Sequence, residues 1–362
     1  MIDLLPQIED WLARGEEIAV ATVVRVAGSA PRPVGARMIV SSGGHMAGSV
    51  SGGCVETTVY AEMMDVLAGG PPRLLHFGIT EDMIWDVGLA CGGTIDVFVQ
   101  RLDPGLVAAL TERVAAKKRV ALAVVIGKLG SRDLGIGATA LFDEEGSVLW
   151  PESPISTIQY PISNIQEVLA SRTALGALYQ VASGSEVYVE PFLPPPVLLI
   201  VGGVHVAIPL TRFARELGFS VIVVDPREKF ANRERFPEAD EVRVEWPDEA
   251  FGHLAVGRDT YVVLLTHDPK IDEPTLASAL QTEAAYIGAI GSRGTHAARF
   301  ERMQKWGVTP EALRRVYAPI GLDLGGRTPE ETALSIIGEV VAVKNGRCGA
   351  SLRETTGSIG CA

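Results

Sequence analysis

Apolar and polar positions in the second half of the chain repeat in a pattern typical of alternating strands and helices. An apolar run at 197–201 is followed by a glycine turn, a stretch of helical periodicity that ends at Gly218, and an apolar run that ends in Asp225. Further apolar runs at 262–265 and 285–290 are again separated by helical patterns. This alternation predicts a Rossmann-like, doubly wound parallel sheet with helices on both faces.

The first half of the chain predicts a mixed α+β region rich in glycine. Apolar residues recur at helical spacing over 3–14, 55–67 and 104–116. Strands are expected at 18–26, from Met38, at 94–100, at 120–127, near 137–143 and at 186–190. Glycine-rich turns lie between these elements, and no internal repeat is present.

Three consecutive prolines at 194–196 mark the clearest domain boundary, because proline is stiff and cannot donate to a strand ladder. The length of 362 residues also exceeds the roughly 250–300 at which one hydrophobic core stops growing. The expected fold class is α/β. Its parts are a glycine-rich N-terminal α+β domain at 1–103, an intermediate α+β segment at 104–193 packed with it, a Rossmann-like domain at 194–346 and a tail at 347–362.

The net charge and the cysteine content limit the kinds of function that this protein can have. The formal net charge of −12 disfavours nucleic-acid binding, which requires basic patches that face phosphates. The N-terminus lacks the layout of a signal peptide, and proline and glycine break the uncharged stretch at 191–211, so neither secretion nor a membrane helix is expected. Four scattered cysteines without CxxC or zinc-ligand spacing are typical of a reducing cytoplasm.

Ligands of parallel α/β sheets bind beyond the carboxyl ends of the strands, and three turns of the second domain fall there. Their candidate ligand-binding residues are Gly202, Gly203 and His205, then His267 and Asp268, then Ser292 and Arg293. A glycine turn at a helix start offers N–H groups to an anion, and the forked guanidinium of Arg293 suits phosphate or carboxylate. For His267 a hydrogen-bonded structural role is the commoner case, and Asp268 before Pro269 is more typical of turn or helix-start chemistry than of a metal ligand.

Two residues bear on whether the second domain binds a dinucleotide. Asp225 stands where a nicotinamide enzyme contacts ribose. An aspartate at the end of a strand can equally cap the turn that begins at Pro226. Val204 stands where the dinucleotide fingerprint requires glycine for the approach of a pyrophosphate. An NAD(P)-dependent oxidoreductase is therefore the alternative hypothesis and not the first.

Two cysteines of the first domain lie beside paired glycines, in the strings Gly52-Gly53-Cys54 and Cys91-Gly92-Gly93. Glycine allows a ligand to approach the backbone, so that either thiol can reach it; the alternative is a small buried hydrophobic side chain. The helix start near Cys54 favours a thiolate only weakly, so a thiolate at neutral pH needs a further cation. Arg32 or Arg37 could supply it.

Several sequence motifs, and their order along the chain, resemble those of the XdhC/CoxI family. The members of this family are accessory proteins of molybdenum hydroxylases such as xanthine dehydrogenase and carbon monoxide dehydrogenase. The resemblance covers most of both domains. It rests on the segments 28–32, 35–38, 52–56, 91–93, 266–269, 286–293, 318–325 and 328–331. The family's glycine turn often reads Gly-Ala-Gly-His-Val, and here Val204 replaces its last glycine, which disfavours nucleotide binding.

The resemblance implies a carrier rather than an enzyme. Such a protein binds molybdenum cofactor (molybdopterin), protects it during sulfuration and delivers it to a molybdenum hydroxylase apo-enzyme. A cysteine desulfurase partner and a homodimer are implied as well, and no catalytic residue is expected. A nucleotide-sensing regulator is a third hypothesis, which ligand binding without transfer or turnover would identify.

Arginines and backbone amides would bind the phosphate of that cofactor, and Cys54 and Cys91 would contact its metal or its sulfur. The residues expected to bind it are Arg32, Arg37, Gly52, Gly53, Cys54, Cys91, Gly92, Gly202, Gly203, His205, Asp225, His267, Asp268, Ser292 and Arg293.

Overall fold

The structure, a computed structural model, describes residues 1–28, 30–78, 93–128, 135–151, 161–171, 175–181 and 185–354. The chain divides into two compact units, Met1–Pro194 and Pro195–Ala362, called the first and the second unit below. The division falls within the run of prolines, and the segments 1–103 and 104–193 lie in the same unit. None of the described helices combines the length and the apolar character needed to cross a membrane.

The first unit contains two antiparallel sheets of five strands each. Sheet A has the order β3-β2-β1-β5-β4 and consists of β1 (Ile18–Ala27), β2 (Arg37–Ser41), β3 (Met46–Gly48), β4 (Arg73–Phe77) and β5 (Thr94–Arg101). Sheet B has the order β8-β7-β6-β10-β9 and consists of β6 (Val120–Lys128), β7 (Thr139–Phe142), β8 (Val148–Trp150), β9 (Ala177–Gln180) and β10 (Ser185–Phe192). The α-helices of this unit are α1 (Leu5–Ala13), α2 (Glu56–Leu67), α3 (Pro104–Ala115) and α4 (Ile162–Ala170).

The two sheets of the first unit share an apolar core. Because alternate residues of a strand point to opposite faces, Val20 and Phe98 of sheet A meet Leu122 and Tyr188 of sheet B. The other face of sheet A packs against α2, and α4 covers the other face of sheet B. The intermediate segment predicted at 104–193 thus supplies the second sheet.

The second unit contains a parallel sheet of six strands with the order β13-β12-β11-β14-β15-β16. Its strands are β11 (Val197–Val201), β12 (Ser220–Val224), β13 (Glu241–Arg243), β14 (Thr260–Leu264), β15 (Tyr286–Ala289) and β16 (Val316–Tyr317). Its α-helices are α5 (Ala207–Glu216), α6 (Pro247–His253), α7 (Pro269–Leu280), α8 (Arg293–Lys305), α9 (Pro310–Leu313) and α10 (Pro329–Lys344).

The order of these strands, counted within the second unit, is that of the Rossmann fold. Helices α5 and α10 cover one face of the sheet, and α6, α7, α8 and α9 cover the other. The doubly wound parallel sheet predicted from the alternating pattern is confirmed. Strand order reverses between β11 and β14, which is the place where ligands of such sheets bind.

Candidate functional site

The predicted residues of the second unit lie along one edge of its sheet, called the carboxyl edge below. Four neighbouring parallel strands, β12, β11, β14 and β15, end here. The segments that follow them carry Asp225, Gly202 with Gly203, His267 with Asp268, and Ser292 with Arg293. Parallel pairing therefore brings together residues that are far apart in the sequence.

Both glycines of the first turn are required by close packing. A Cβ atom at Gly202, whose φ is +104°, would lie 2.4 Å from Thr266 Cγ2. A Cβ atom at Gly203 would lie 2.2 Å from the carbonyl oxygen of Phe230. Val204 packs against the core beside them, and His205 is exposed. The glycines thus keep the turn close to its neighbours, and a contact with a ligand is a separate prediction.

Asp225 is fully buried, and its carboxylate accepts hydrogen bonds from the protein itself. The donors are the N–H of Gly203 at 2.9 Å, the N–H of Arg227 at 3.0 Å and the guanidinium of Arg227 at 2.8 Å. Burial alone would raise the pKa of Asp225, but the bonds from Arg227 and Gly203 bring it below its ordinary value. These contacts fit the interpretation of Asp225 as a turn-capping residue, and they disfavour a contact with ribose and with it the NAD(P) alternative.

Arg227 is a candidate that the sequence analysis missed. Its guanidinium lies 3.9 Å from the ring centre of Phe230, and the side chain is 42% exposed. Asp225 accepts hydrogen bonds from Nε and Nη2 of Arg227 and holds the guanidinium at the carboxyl edge, where Nη1 is the nitrogen that remains for a further acceptor. No sequence pattern marks this arginine, because its position depends on the acid two residues before it and on the ring three residues after it.

Asp268 and Ser292 both begin helices. The Asp268 carboxylate accepts a hydrogen bond from the N–H of Lys270 at 3.0 Å, as its position before Pro269 predicts. The Ser292 hydroxyl accepts one from the N–H of Thr295 at 3.1 Å. His267 and Arg293 are exposed, and the guanidinium of Arg293 forms no ion pair with any residue that the structure describes. Arg293 is thus available to an external anion.

A buried network of polar side chains stabilises the turns at the carboxyl edge. Arg299 donates a hydrogen bond to Asp272 at 2.6 Å and another to Nδ1 of His296 at 3.1 Å, and the hydroxyl of Thr266 donates to Asp272. Burial and the charge of Arg299 lower the pKa of His296, so its ring is neutral near pH 7. The network connects α7 and α8 to the strand end at Thr266, and so fixes the turns that carry the predicted residues.

In the first unit, Cys54 lies exposed on a turn at the start of α2. The turn is organised around the carboxylate of Glu56, which accepts hydrogen bonds from the Ser49 hydroxyl at 2.7 Å and from the N–H groups of Ser51 at 2.9 Å and Gly53 at 2.8 Å. Burial opposes ionisation, but these bonds lower the pKa of Glu56 to about 2. The interpretation of Cys54 as a buried hydrophobic side chain is wrong, because the thiol is accessible on a turn that these bonds hold in place.

The two glycines before Cys54 give this turn its shape. Their φ angles are +76° at Gly52 and +120° at Gly53, which favour glycine. A Cβ atom at Gly52 would lie 3.8 Å from Cβ of Pro31, so the segment that carries the exposed Arg32 is a neighbour of this turn. The structure thus brings Arg32 into the vicinity of the glycine turn.

Arg37 does not lie on this surface, which corrects its prediction as a ligand-binding residue. Its side chain is buried, and its guanidinium donates to Glu190 Oε1 at 2.7 Å and also to Glu190 Oε2. Since both nitrogens are committed to one internal carboxylate, Arg37 cannot serve as the cation for Cys54. Of the two predicted arginines, Arg32 alone is exposed.

The predictions for Cys91 and Gly92 lie outside the described residues. Within the described ranges, no group of three or more His, Cys, Asp or Glu residues could hold a metal ion.

A second group that the sequence analysis missed lies on sheet A. His76, Asp96 and Arg25 occur on three neighbouring strands, β4, β5 and β1, and form hydrogen bonds across them. Asp96 is a charged residue between the apolar Ile95 and Val97 of β5, which is the signal that could have identified it. The pairing with His76 and Arg25 depends on strand register and was not accessible from the sequence.

The chain thus consists of a two-sheet unit followed by a Rossmann unit, each with a glycine-rich turn beside exposed polar groups. The sequence model of the XdhC Rossmann domain matches residues 198–340, and that of the XdhC and CoxI family matches residues 11–78. The chain therefore belongs to the XdhC and CoxI family.

Sequence similarity to individual proteins extends over nearly the whole chain. A protein from Bacillus subtilis, named as a probable subunit of xanthine dehydrogenase, is 27% identical over 334 residues, which cover 91% of this chain and 94% of that protein. The molybdenum cofactor insertion chaperone PaoD from Escherichia coli is 26% identical over 334 residues, which cover 92% of this chain and 85% of PaoD. A crystal structure described as a xanthine dehydrogenase from Bacillus halodurans matches with a TM-score of 0.68 and 25% identity over 97% of both chains.

Proposed function

We propose that this protein binds molybdenum cofactor, protects it during sulfuration and delivers it to a molybdenum hydroxylase such as xanthine dehydrogenase. The observation that carries the proposal is the accessible Cys54 thiol, held on a fixed glycine turn in a chain that is similar over 92% of its length to an insertion chaperone. A thiol at such a turn suits contact with a metal–sulfur group, because thiolates are soft ligands and glycine leaves room for a bulky ligand.

The charged groups of the second unit suit the phosphate of the cofactor. Arg227 and Arg293 are exposed at the carboxyl edge, and the helices α7 and α8 begin there. Guanidinium groups and helix N-termini are the usual partners of phosphate oxygens. We include the predicted Gly202, Gly203, His205, His267 and Ser292 in this proposal as residues that surround the phosphate.

The proposal assigns no catalysed redox step to the protein. The proposed partners of the protein are a molybdenum hydroxylase apo-enzyme, which receives the cofactor, and a cysteine desulfurase, which supplies sulfur. We further propose that it acts in the cytoplasm as a homodimer, a state that light scattering on the purified protein measures.

Purification from cells that make molybdopterin tests the function. Oxidation of the bound cofactor releases a fluorescent pterin, whose amount per protein chain is measured, and incubation with an apo-hydroxylase measures transfer. We expect both pterin retention and hydroxylase activation; a protein that shows neither would rule the proposal out.

A further inference from the structure

Arg227 and Phe230 form a stacked pair at the carboxyl edge of the second unit. The central carbon of the guanidinium lies 3.9 Å from the centre of the Phe230 ring, which is a close contact between a cation and an aromatic face. A backbone turn produces the pair, because the N–H of Phe230 donates to the carbonyl oxygen of Arg227 at 2.8 Å. The turn returns the ring to the arginine, so the pair is formed by a short local segment of the chain.

Asp225 fixes the plane of the guanidinium. Its Oδ1 accepts a hydrogen bond from Nε of Arg227 at 2.8 Å, and its Oδ2 accepts one from Nη2 at 2.8 Å. Two such bonds set the orientation of a guanidinium as well as its position. Asp225 is itself fully buried and also accepts a hydrogen bond from the N–H of Gly203. The guanidinium of Arg227 is therefore a rigid flat surface.

The free face of this guanidinium is what it offers to a ligand. A phosphate or carboxylate binds best to two nitrogens of one edge, and Asp225 already occupies the edge formed by Nε and Nη2. Nη1 remains for one oxygen atom. Phe230 covers one face of the guanidinium, and the side chain is still 42% exposed. Guanidinium planes stack on flat heterocyclic rings such as nucleobases, so the second face suits a ring.

The stacked pair lies beside the crevice at which the strand order reverses. The hydrogen bonds to Asp225 raise the pKa of Arg227, and the charge of Asp268 raises it as well. Arg227 follows β12 and Asp268 follows β14, and β11 lies between these two strands. The guanidinium is thus close enough to interact with a charge on the far side of the β11 end. Ligands of doubly wound sheets bind at this place.

We propose that the free face of Arg227 binds the flat heterocyclic ring of a phosphorylated ligand, with Asp225 and Phe230 as positioning residues. This inference rests on the proposed function and deepens it. It assigns the ring of the ligand to Arg227 and the phosphate chiefly to Arg293, whose guanidinium is unpaired among the described residues. A pterin and a nucleobase share the required chemistry, because both are flat nitrogen heterocycles, and the experiment distinguishes them.

Three phosphorylated probes separate the ring from the phosphate. Neopterin 3′-monophosphate carries a pterin, CMP carries a nucleobase, and ribose 5-phosphate carries no heterocycle. Titration of the full chain, followed by the NMR signals of each probe, measures the three Kd values. We expect at least one ring-bearing probe to bind clearly more tightly than ribose 5-phosphate, and the tighter of the two identifies the kind of ring. Equal binding of all three probes would overturn the proposal.

Replacement of Arg227 by lysine tests the role of the flat face. Lysine keeps the positive charge and can still donate to Asp225, but it has no plane on which a ring can stack. The affinity for the tighter ring-bearing probe should fall by about 5-fold or more, the range measured for loss of a stacking partner. The affinity for ribose 5-phosphate should stay unchanged.

Arg215→Lys is the matched control. Arg215 is also 42% exposed and paired with an aspartate, Asp240, at 2.7 Å, but it ends α5 just before β12 and so lies at the opposite edge of the sheet. Its replacement should change none of the three Kd values. An Arg227→Lys protein that binds the ring-bearing probe as the wild type does would overturn the proposal. Equal losses for all three probes would overturn it too, because they would show an effect of charge or folding.

Failure of this inference is distinguishable from failure of the proposed function, because the probes are titrated without cofactor or hydroxylase. A wild-type protein that retains pterin and activates the hydroxylase, but has no preference for ring-bearing probes, would overturn the role of Arg227 and leave the carrier function intact. A wild-type protein that does neither, but loses its preference for a ring in Arg227→Lys, would overturn the carrier function and leave the ring-binding role of Arg227 intact.

Discussion

Two arginines that flank Gly35 in the sequence have opposite surroundings in the structure. Arg32 is exposed near the Cys54 turn, whereas Arg37 is buried and paired with Glu190. Sequence reasoning assigned both the same role, because only the strand pairing of β2 reveals which side chain points into the core. The difference between them is measurable as a difference in stability.

Replacement of Arg37 by alanine should lower the free energy of unfolding by about 3–5 kcal/mol, because it leaves the Glu190 carboxylate buried without a partner. Urea unfolding followed by circular dichroism measures the change. Arg32→Ala is the matched control and should stay within about 0.5 kcal/mol of the wild type. Equal stability of the two variants would contradict the assignment of Arg37 to the core.

Arg293 is the exposed arginine whose removal should weaken ligand binding. If the cofactor phosphate is its partner, Arg293→Ala loses a charged hydrogen bond, and the affinity should fall by about 1.5–3 kcal/mol. Pterin retained at a series of protein concentrations measures the affinity. Arg258, exposed just before β14 and thus at the opposite edge of the sheet, gives the control Arg258→Ala, for which we expect no change. Equal losses in both variants would argue for an unspecific charge effect.

At the scale of elements, the sequence predicted several of the long helices and strands, but it missed the long helices α8 and α10 and the short strands. Periodicity needs several residues to be visible, and it located β1, β5, α2 and the strands β11, β12 and β14. Strands of two or three residues, such as β3, β13 and β16, carry no readable alternation. They form strands because their backbone groups hydrogen-bond to a longer neighbouring strand. This pairing is a property of the tertiary fold.

The turn before α2 depends on one carboxylate. Glu56→Gln should lower the free energy of unfolding at neutral pH by about 1–2 kcal/mol, because the amide replaces a charged acceptor of several bonds. Glu9→Gln, an exposed position on α1, is the control and should have no effect.

The difference between wild type and Glu56→Gln should depend on pH. The pKa of Glu56 is lowered from 4.5 to about 2 in the folded protein, so its contribution is complete above pH 4.5 and is lost as the pH falls towards 2. Urea unfolding at a series of acidic pH values measures this. A difference that stays constant down to pH 2 would contradict the proposed role of the carboxylate.

At the scale of the whole molecule, the sequence predicted the parallel sheet of the second unit and the family, while much of the candidate site became visible only in the structure. Asp225 and Asp268 follow local rules, and their capping roles could be anticipated. The Asp96–His76 pair depends on strand register, whereas Arg227 and His296 act through residues two or three positions away whose placement depends on the local turn or helix. No periodicity encodes such contacts.

The most direct test of the account is the pterin content and transfer capacity of the wild-type protein compared with Cys54→Ala. Cys54 is exposed, so we expect the variant to fold as the wild type does but to retain clearly less cofactor and to activate less apo-hydroxylase. Wild-type retention and delivery by the Cys54→Ala protein would show that the thiol does not contact the cofactor. A wild-type protein that neither retains pterin nor activates the hydroxylase would contradict the carrier function itself.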